Sequence, residues 1–173
     1  MAAGLTPALA TVALGAHRRA LRAGDRQIDT AHLLHSLLES DPDVRASFAD
    51  SRRLARVLGY LVQRSIGYGL RWQRAVEGAG GDRAARLPVR AGTPGVPDRT
   101  PASAPSGWSP AALAALDAAR ERAVRRGEAH PRGLDLFAAI SAAPGCRGAE
   151  VLRRAGVDTA SLTARIGEPS QQA

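Results

Sequence analysis

Lysine is absent: all 24 basic residues of this 173-residue chain are arginine. A nucleotide-binding P-loop sets a lysine on the β- and γ-phosphates, so the chain carries no such ATPase motif. A GC-rich genome, where arginine codons dominate, accounts for the gap without any selected role. Cysteine occurs once, as Cys146, which excludes an internal disulfide and a cysteine-rich zinc site. Aromatic residues make up only 3% of the chain. Ala and Leu must therefore carry the packing, which favours helices over sheets. A secretory signal is also missing. The apolar run from Ala2 to Ala16 precedes the charges of Arg18 and Arg19, whereas a signal peptide has the opposite order. The run is too short to span a membrane. The expectation is a cytoplasmic protein with no membrane partner.

What is present is apolar and basic. Hydrophobic residues reach 45%, enough for one core or two small fused ones at this length. The net charge of +8 suits phosphate partners, because guanidinium groups bind them well. However, the arginines are spread over helix faces in short pairs such as Arg18-Arg19, Arg52-Arg53, Arg125-Arg126 and Arg153-Arg154. No aromatic platform is interleaved with them. That distribution argues against nucleic acid, which stays as the alternative reading.

The order of helix signals occurs twice. Thr6-Pro7 is a hydroxyl cap followed by proline at the first helical position. Leu9, Ala13, Ala16 and Ala20 follow at helical spacing, and Gly24 ends the run. A second helix starts at the cap Thr30 and carries Leu33, Leu34, Leu37 and Leu38. A third runs from about Val44 to Asp50, and a fourth holds Leu54, Val57, Leu58, Leu61 and Val62. The same plan returns at one offset of 103 residues: Pro7 to Pro110, Gly24 to Gly127, His32 to Asp135. Leu113, Leu116, Ala119 and Ala123 mark the fifth helix. Leu134, Phe137 and Ile140 mark the sixth, Val151 and Leu152 the seventh. Asp158 caps an eighth with Leu162 and Ile166. A duplicated unit that cannot bury its apolar face alone packs on its copy.

The fold expected is therefore all-α: two four-helix repeats related by a pseudo-two-fold, residues 1–66 and 108–167, packed as one domain. Residues 67–107 read as a long, mostly disordered linker. From Gly78 to Gly107 the chain is rich in Gly, Pro, Ala, Arg and Ser, and burial there does not offset the entropy of ordering. Residues 168–173 read as a polar tail.

This plan resembles the N-terminal domain of Clp ATPases, particularly the ClpC type, here as a stand-alone module without the ATPase segments. Leu5-Thr6-Pro7 with Thr30-Ala31-His32-Leu33-Leu34 carries the resemblance in the first copy. Trp108-Ser109-Pro110, Ala149-Glu150-Val151-Leu152 and Gly156-Val157-Asp158 carry it in the second. The resemblance covers roughly residues 5–64 and 108–166. It implies a non-enzymatic protein- or peptide-binding module. The implied partners are a Clp adaptor, a Clp ATPase or protease component, or a Clp-targeting cyclic peptide. The implied roles are modulating Clp proteolysis or sequestering such a peptide. In ClpC-type domains the opening Thr and the Glu of a Thr-Glu-His motif help bind phosphoarginine. Ala31 and Leu134 stand where those glutamates would be, and neither accepts bonds from a guanidinium. Weak or absent phosphoarginine binding is the expectation.

The candidate ligand-binding residues are Leu5, Thr6, Trp108 and Ser109, at equivalent helix entrances. Leu5 and Trp108 would otherwise act as hydrophobic staples. His32, His35 and Glu39 have helical spacing that suits metal ligands, but no second cluster completes a coordination sphere. His32 falls on the family's structural histidine, and His17 and His130 read as surface residues. No strand-turn-helix elbow presents a nucleophilic serine, and the carboxylates form no acid–base motif. Cys146 precedes a helix start, where a thiol pKa can fall; the alternative is a small packing residue. No catalytic residue, cofactor or metal is expected.

Overall fold

The computed structural model describes residues 6–65, 77 and 107–167. Eight α-helices account for the regular structure among them, and no strand is present. They are α1 (Pro7–Ala23), α2 (Thr30–Ser40), α3 (Pro42–Ala46), α4 (Ser51–Ser65), α5 (Pro110–Arg125), α6 (Gly133–Ala142), α7 (Arg147–Arg154) and α8 (Thr159–Gly167). Leu5 and most of the 67–107 stretch lie outside the described residues. No helix among those described is long and apolar enough to cross a membrane.

The helix starts follow from local chemistry. The Thr6 Oγ1 accepts from the Leu9 backbone N–H at 3.2 Å, and the Ser109 Oγ accepts from that of Ala112 at 3.1 Å. Each satisfies a donor that the first helical turn leaves unpaired. Each is followed by a proline, which loses nothing there because its missing N–H has no intrahelical partner. Both long helices end on glycines in the left-handed region, Gly24 at φ 68° and Gly127 at φ 76°. A Cβ would strain that conformation.

Two expected boundaries shift. The cap of α2 is Asp29, and Thr30 is its first helical residue: the Asp29 Oδ1 accepts from the N–H groups of Ala31 and His32, both at 3.0 Å. A carboxylate out-competes a hydroxyl for a helix N-terminus because charge and dipole add to the hydrogen bond. The third helix covers Pro42–Ala46, not Val44 to Asp50. Asp41 caps it from the front, and Ser47 ends it by turning its hydroxyl onto the Val44 carbonyl at 2.6 Å.

The core centres on α2 and α6. All nine residues from Thr30 to Leu38 are buried, as are all but one of Gly133–Ser141. They are buried around nearly the whole helix, which requires neighbours on every side. Helix α1 lies on α2, α5 on α6, α7 on α2 and α8 on α6, and α2 touches α6 directly. Phe137 on α6 is fully buried, with its ring 5.5 Å from that of Phe48. The seat of α7 on α2 requires glycine at 148. A Cβ there would lie 2.5 Å from the Ile140 Cγ2 and 3.1 Å from the Thr30 carbonyl oxygen.

Candidate functional site

Three places in the fold gather polar or concave chemistry. The first joins the two expected helix entrances. Ile28 and Trp108 form an isolated parallel bridge: the Ile28 N–H donates to the Gly107 carbonyl at 2.9 Å, and the Ser109 N–H to that of Ile28 at 2.8 Å. Beside it the Glu77 carboxylate is buried. It accepts from the Thr30 N–H at 2.9 Å, the Ser109 hydroxyl at 2.6 Å and the Arg147 N–H at 2.6 Å, and from the Thr30 hydroxyl. The Thr30 hydroxyl in turn accepts from the Gly148 N–H at 2.9 Å. One carboxylate thus closes the N-termini of α2 and α7 together, where helix dipoles favour negative charge.

This arrangement locates the sequence candidates. Ser109 is fully buried, and Glu77 and Ala112 engage its hydroxyl from both sides. A ligand reaches that hydroxyl only by displacing Glu77. Trp108 is half-buried against the core. Thr6 caps its own helix, and among the described residues no hydrogen bond joins it to Ser109 or Trp108. Ala31 is fully buried and Leu134 half-buried.

The second place is an ion network under α2. The Asp29 side chain is fully enclosed. Arg147 donates to its Oδ2 at 2.6 Å and Arg64 to its Oδ1 at 3.2 Å, and Arg64 also reaches Asp25 at 2.9 Å. The His32 Nδ1 lies 2.9 Å from the Asp29 Oδ1, and its Nε2 lies 3.0 Å from the Asp25 Oδ2. Burial alone would push the Asp29 carboxyl up, but His32, Arg64 and Arg147 hold it well below the usual carboxylate range. Burial likewise works against the His32 imidazolium, yet the Asp25 and Asp29 carboxylates raise its pKa. His35 takes the opposite course. Burial and the nearby Arg19 charge push it down to about 4.

Asp25, Asp29 and His32 present ligand atoms within 4.8 Å of one another. Two guanidinium groups already neutralise them, so a metal ion would have to displace Arg64 and Arg147. His35 turns instead to Glu39, 3.2 Å from its Nε2, so the His32/His35/Glu39 spacing does not converge on one point. His17 and His130 are exposed. Cys146 caps α7 by accepting from the Ala149 N–H at 3.3 Å. Its thiol pKa rises, because burial outweighs the helix terminus, which fits the packing alternative rather than a lowered thiol pKa.

The third place is a groove of about 820 Å³ between α5 and α6. Ala111, Ala114 and Ala118 line it from α5, Ala139 and Ala142 from α6, and Ala143 from just past the end of α6. Arg122 and Arg125 line it from the last turns of α5. Methyl side chains leave the backbones close and the space between them open. A smaller groove of about 370 Å³ lies between α1 and α2, lined by Gly15, Arg19, Ser36 and Glu39 among others.

Sequence reasoning missed Glu77, Arg64, Arg147 and the alanine groove. Glu77 sits inside the stretch read as linker, with no periodic neighbours to mark it. Its only legible signal is a carboxylate in a segment otherwise rich in Gly, Ala and Arg. Comparison with protein-family models and with curated protein sequences finds no match to this chain.

Proposed function

We propose that the chain is a non-catalytic protein- or peptide-binding module of the Clp N-terminal type, built as two four-helix repeats. The observation that carries this reading is the contrast between the spent interior charges and the open alanine groove. Asp25, Asp29, His32, Arg64, Arg147 and Glu77 all serve to fasten helix ends. A titratable group locked in several ion pairs is poorly placed to move protons in a reaction. The groove between α5 and α6 is concave and mainly apolar, with a few polar groups, which is the usual character of a ligand site. The repeated order of cap, proline, small-residue helix and glycine supports the Clp-type reading.

The partner class follows from that resemblance: an adaptor, a Clp ATPase or protease component, or a cyclic peptide aimed at it. The test is a reconstituted Clp ATPase–protease degrading a fluorescent adaptor-dependent substrate, with this chain added at rising concentration. Competition for the adaptor should slow degradation in a saturable way. An unchanged rate at a large molar excess, with no co-migration of chain and adaptor, overturns the Clp reading. Labelled single-stranded RNA in the same buffer tests the arginine-rich alternative. Tight binding that collapses between low and high salt would favour it, since phosphate contacts release counterions.

A further inference from the structure

The two grooves occupy equivalent places in the repeated plan and differ in one chemical respect. At the 103-residue offset, Arg19 corresponds to Arg122, Ser36 to Ala139 and Glu39 to Ala142. In the α1–α2 groove both terminal nitrogens of the Arg19 guanidinium are engaged. It pairs with Glu39 and donates to the Ser36 hydroxyl at 3.3 Å and to the Gly15 carbonyl at 3.2 Å. In the α5–α6 groove both side-chain acceptors are replaced by methyl groups. The Arg122 Nε is buried and makes no hydrogen bond among the described residues. Asp135 stands 3.8 Å away, and Arg126 already holds both of its carboxylate oxygens. Arg125, the counterpart of Arg22, adds a second guanidinium to the same end of the groove.

A buried guanidinium nitrogen without a hydrogen bond is costly, and the guanidinium fork matches a carboxylate. The first groove fills that position with its own Glu39. The second has the same arginine, more than twice the volume, and no carboxylate among its lining residues. We propose that the α5–α6 groove docks an acidic peptide segment of a partner protein. One Asp or Glu of that segment pairs with Arg122 and Arg125, in the place Glu39 takes beside Arg19. Small apolar side chains of the segment lie along Ala114, Ala118 and Ala139. This inference rests on the peptide-binding reading and names the chemistry of its ligand.

The probe is an array of acetylated, amidated dodecapeptides of Ala, Ser and Leu, each with a single Glu at a varied position. Each has a twin in which Gln replaces Glu. The best pair is then titrated in solution by fluorescence anisotropy against the whole chain. The Glu peptide should bind at least tenfold more tightly than its twin. Arg122→Gln should remove that preference. Ala142→Glu, which supplies from α6 the carboxylate missing from this groove, should abolish binding of the acidic peptide. It should also leave the melting temperature at or above the parent value. If Ala142→Glu fails to fold, the Arg122→Gln comparison decides alone. Ala118→Trp, which fills the groove, should abolish binding of both twins. Twins that bind equally, and lose binding together in Ala118→Trp, overturn the acidic preference and leave peptide docking in the groove intact. Binding of neither twin at any position overturns both.

Discussion

At the scale of single residues, the polar interior works as paired charges whose loss is asymmetric. Asp29 accepts from two backbone N–H groups and faces Arg64 and Arg147. Asp29→Asn keeps the shape and removes the charge, which takes one buried carboxylate away from both Arg64 and Arg147. Breaking a buried pair from one side costs about 3–5 kcal/mol, so urea unfolding should show a lowered midpoint and a free energy of unfolding smaller by that amount. An unchanged midpoint would mean that water screens the network. His35 gives a pH signature. Its folded pKa is pushed down to about 4, below the ~6.5 of an unfolded chain. The unfolded state therefore takes up the proton first. The stability this residue contributes is present above pH ~6.5 and is lost as the pH falls toward 4. His32, with its raised pKa, works the other way: its contribution is full below pH ~6.5 and fades as the pH rises through the folded value. Melting temperatures at pH 7 and pH 5 test the first point. His35→Gln should lose fewer degrees between them than the parent. Equal losses would place the acid sensitivity in the carboxylates instead.

At the scale of elements, equivalent helix starts are held by unequal means. Thr6 and Ser109 each cap a long helix through a hydroxyl, but only Ser109 also donates to the buried Glu77. Thr6→Ala should cost about 1 kcal/mol, the usual value of a cap. Ser109→Ala should cost more, by about another 1–3 kcal/mol, because it takes a donor from a buried carboxylate. Guanidinium unfolding of the two variants side by side reads the difference, and equal costs would mean that Glu77 gains nothing from Ser109. Helices α2 and α6 pack differently from the others. They are buried on nearly every side, so their stability comes from neighbours rather than from propensity. Leu34, fully buried on α2, should cost about 2–5 kcal/mol as Leu34→Ala. A loss below 1 kcal/mol would mean that the neighbouring helices collapse onto the gap.

At the scale of the whole molecule, the buried carboxylates Glu77 and Asp29 sit where separate segments meet. Glu77 ties α2, α7 and the entrance of α5, and Asp29 ties α2, α4 and α7. The outer faces carry exposed apolar residues such as Leu14 and Val124 and the alanine groove. Trp108 is half-buried beside Ile28, and is the aromatic candidate for a second binding surface. If that surface contributes to partner binding, Trp108→Ala should weaken it by about 2 kcal/mol or more, with a smaller change in melting temperature. Binding at parent affinity by a variant that melts far lower would show Trp108 to be a staple of the fold.

The sequence by itself determined the features that depend on neighbouring residues. Hydroxyl–proline pairs at Thr6 and Ser109, left-handed glycines at 24 and 127, the Asp158 cap and the leucine spacing of α2 all act within a few residues. They specify helices, and they rule out sheets, whatever lies nearby. The cap of α2 was misplaced by one residue because Asp29 and Thr30 are both good caps. The choice between them falls to Arg64 and Arg147, which come from distant segments. Only the tertiary structure decided that Glu77 is buried, that Arg64 and Arg147 meet Asp29, that burial overrides the helix terminus at Cys146, and that Arg122 lacks the carboxylate Arg19 has. Each of these depends on groups far apart in the chain. Burial and Coulomb attraction act on distance in space, and neither periodicity nor spacing in the sequence records it.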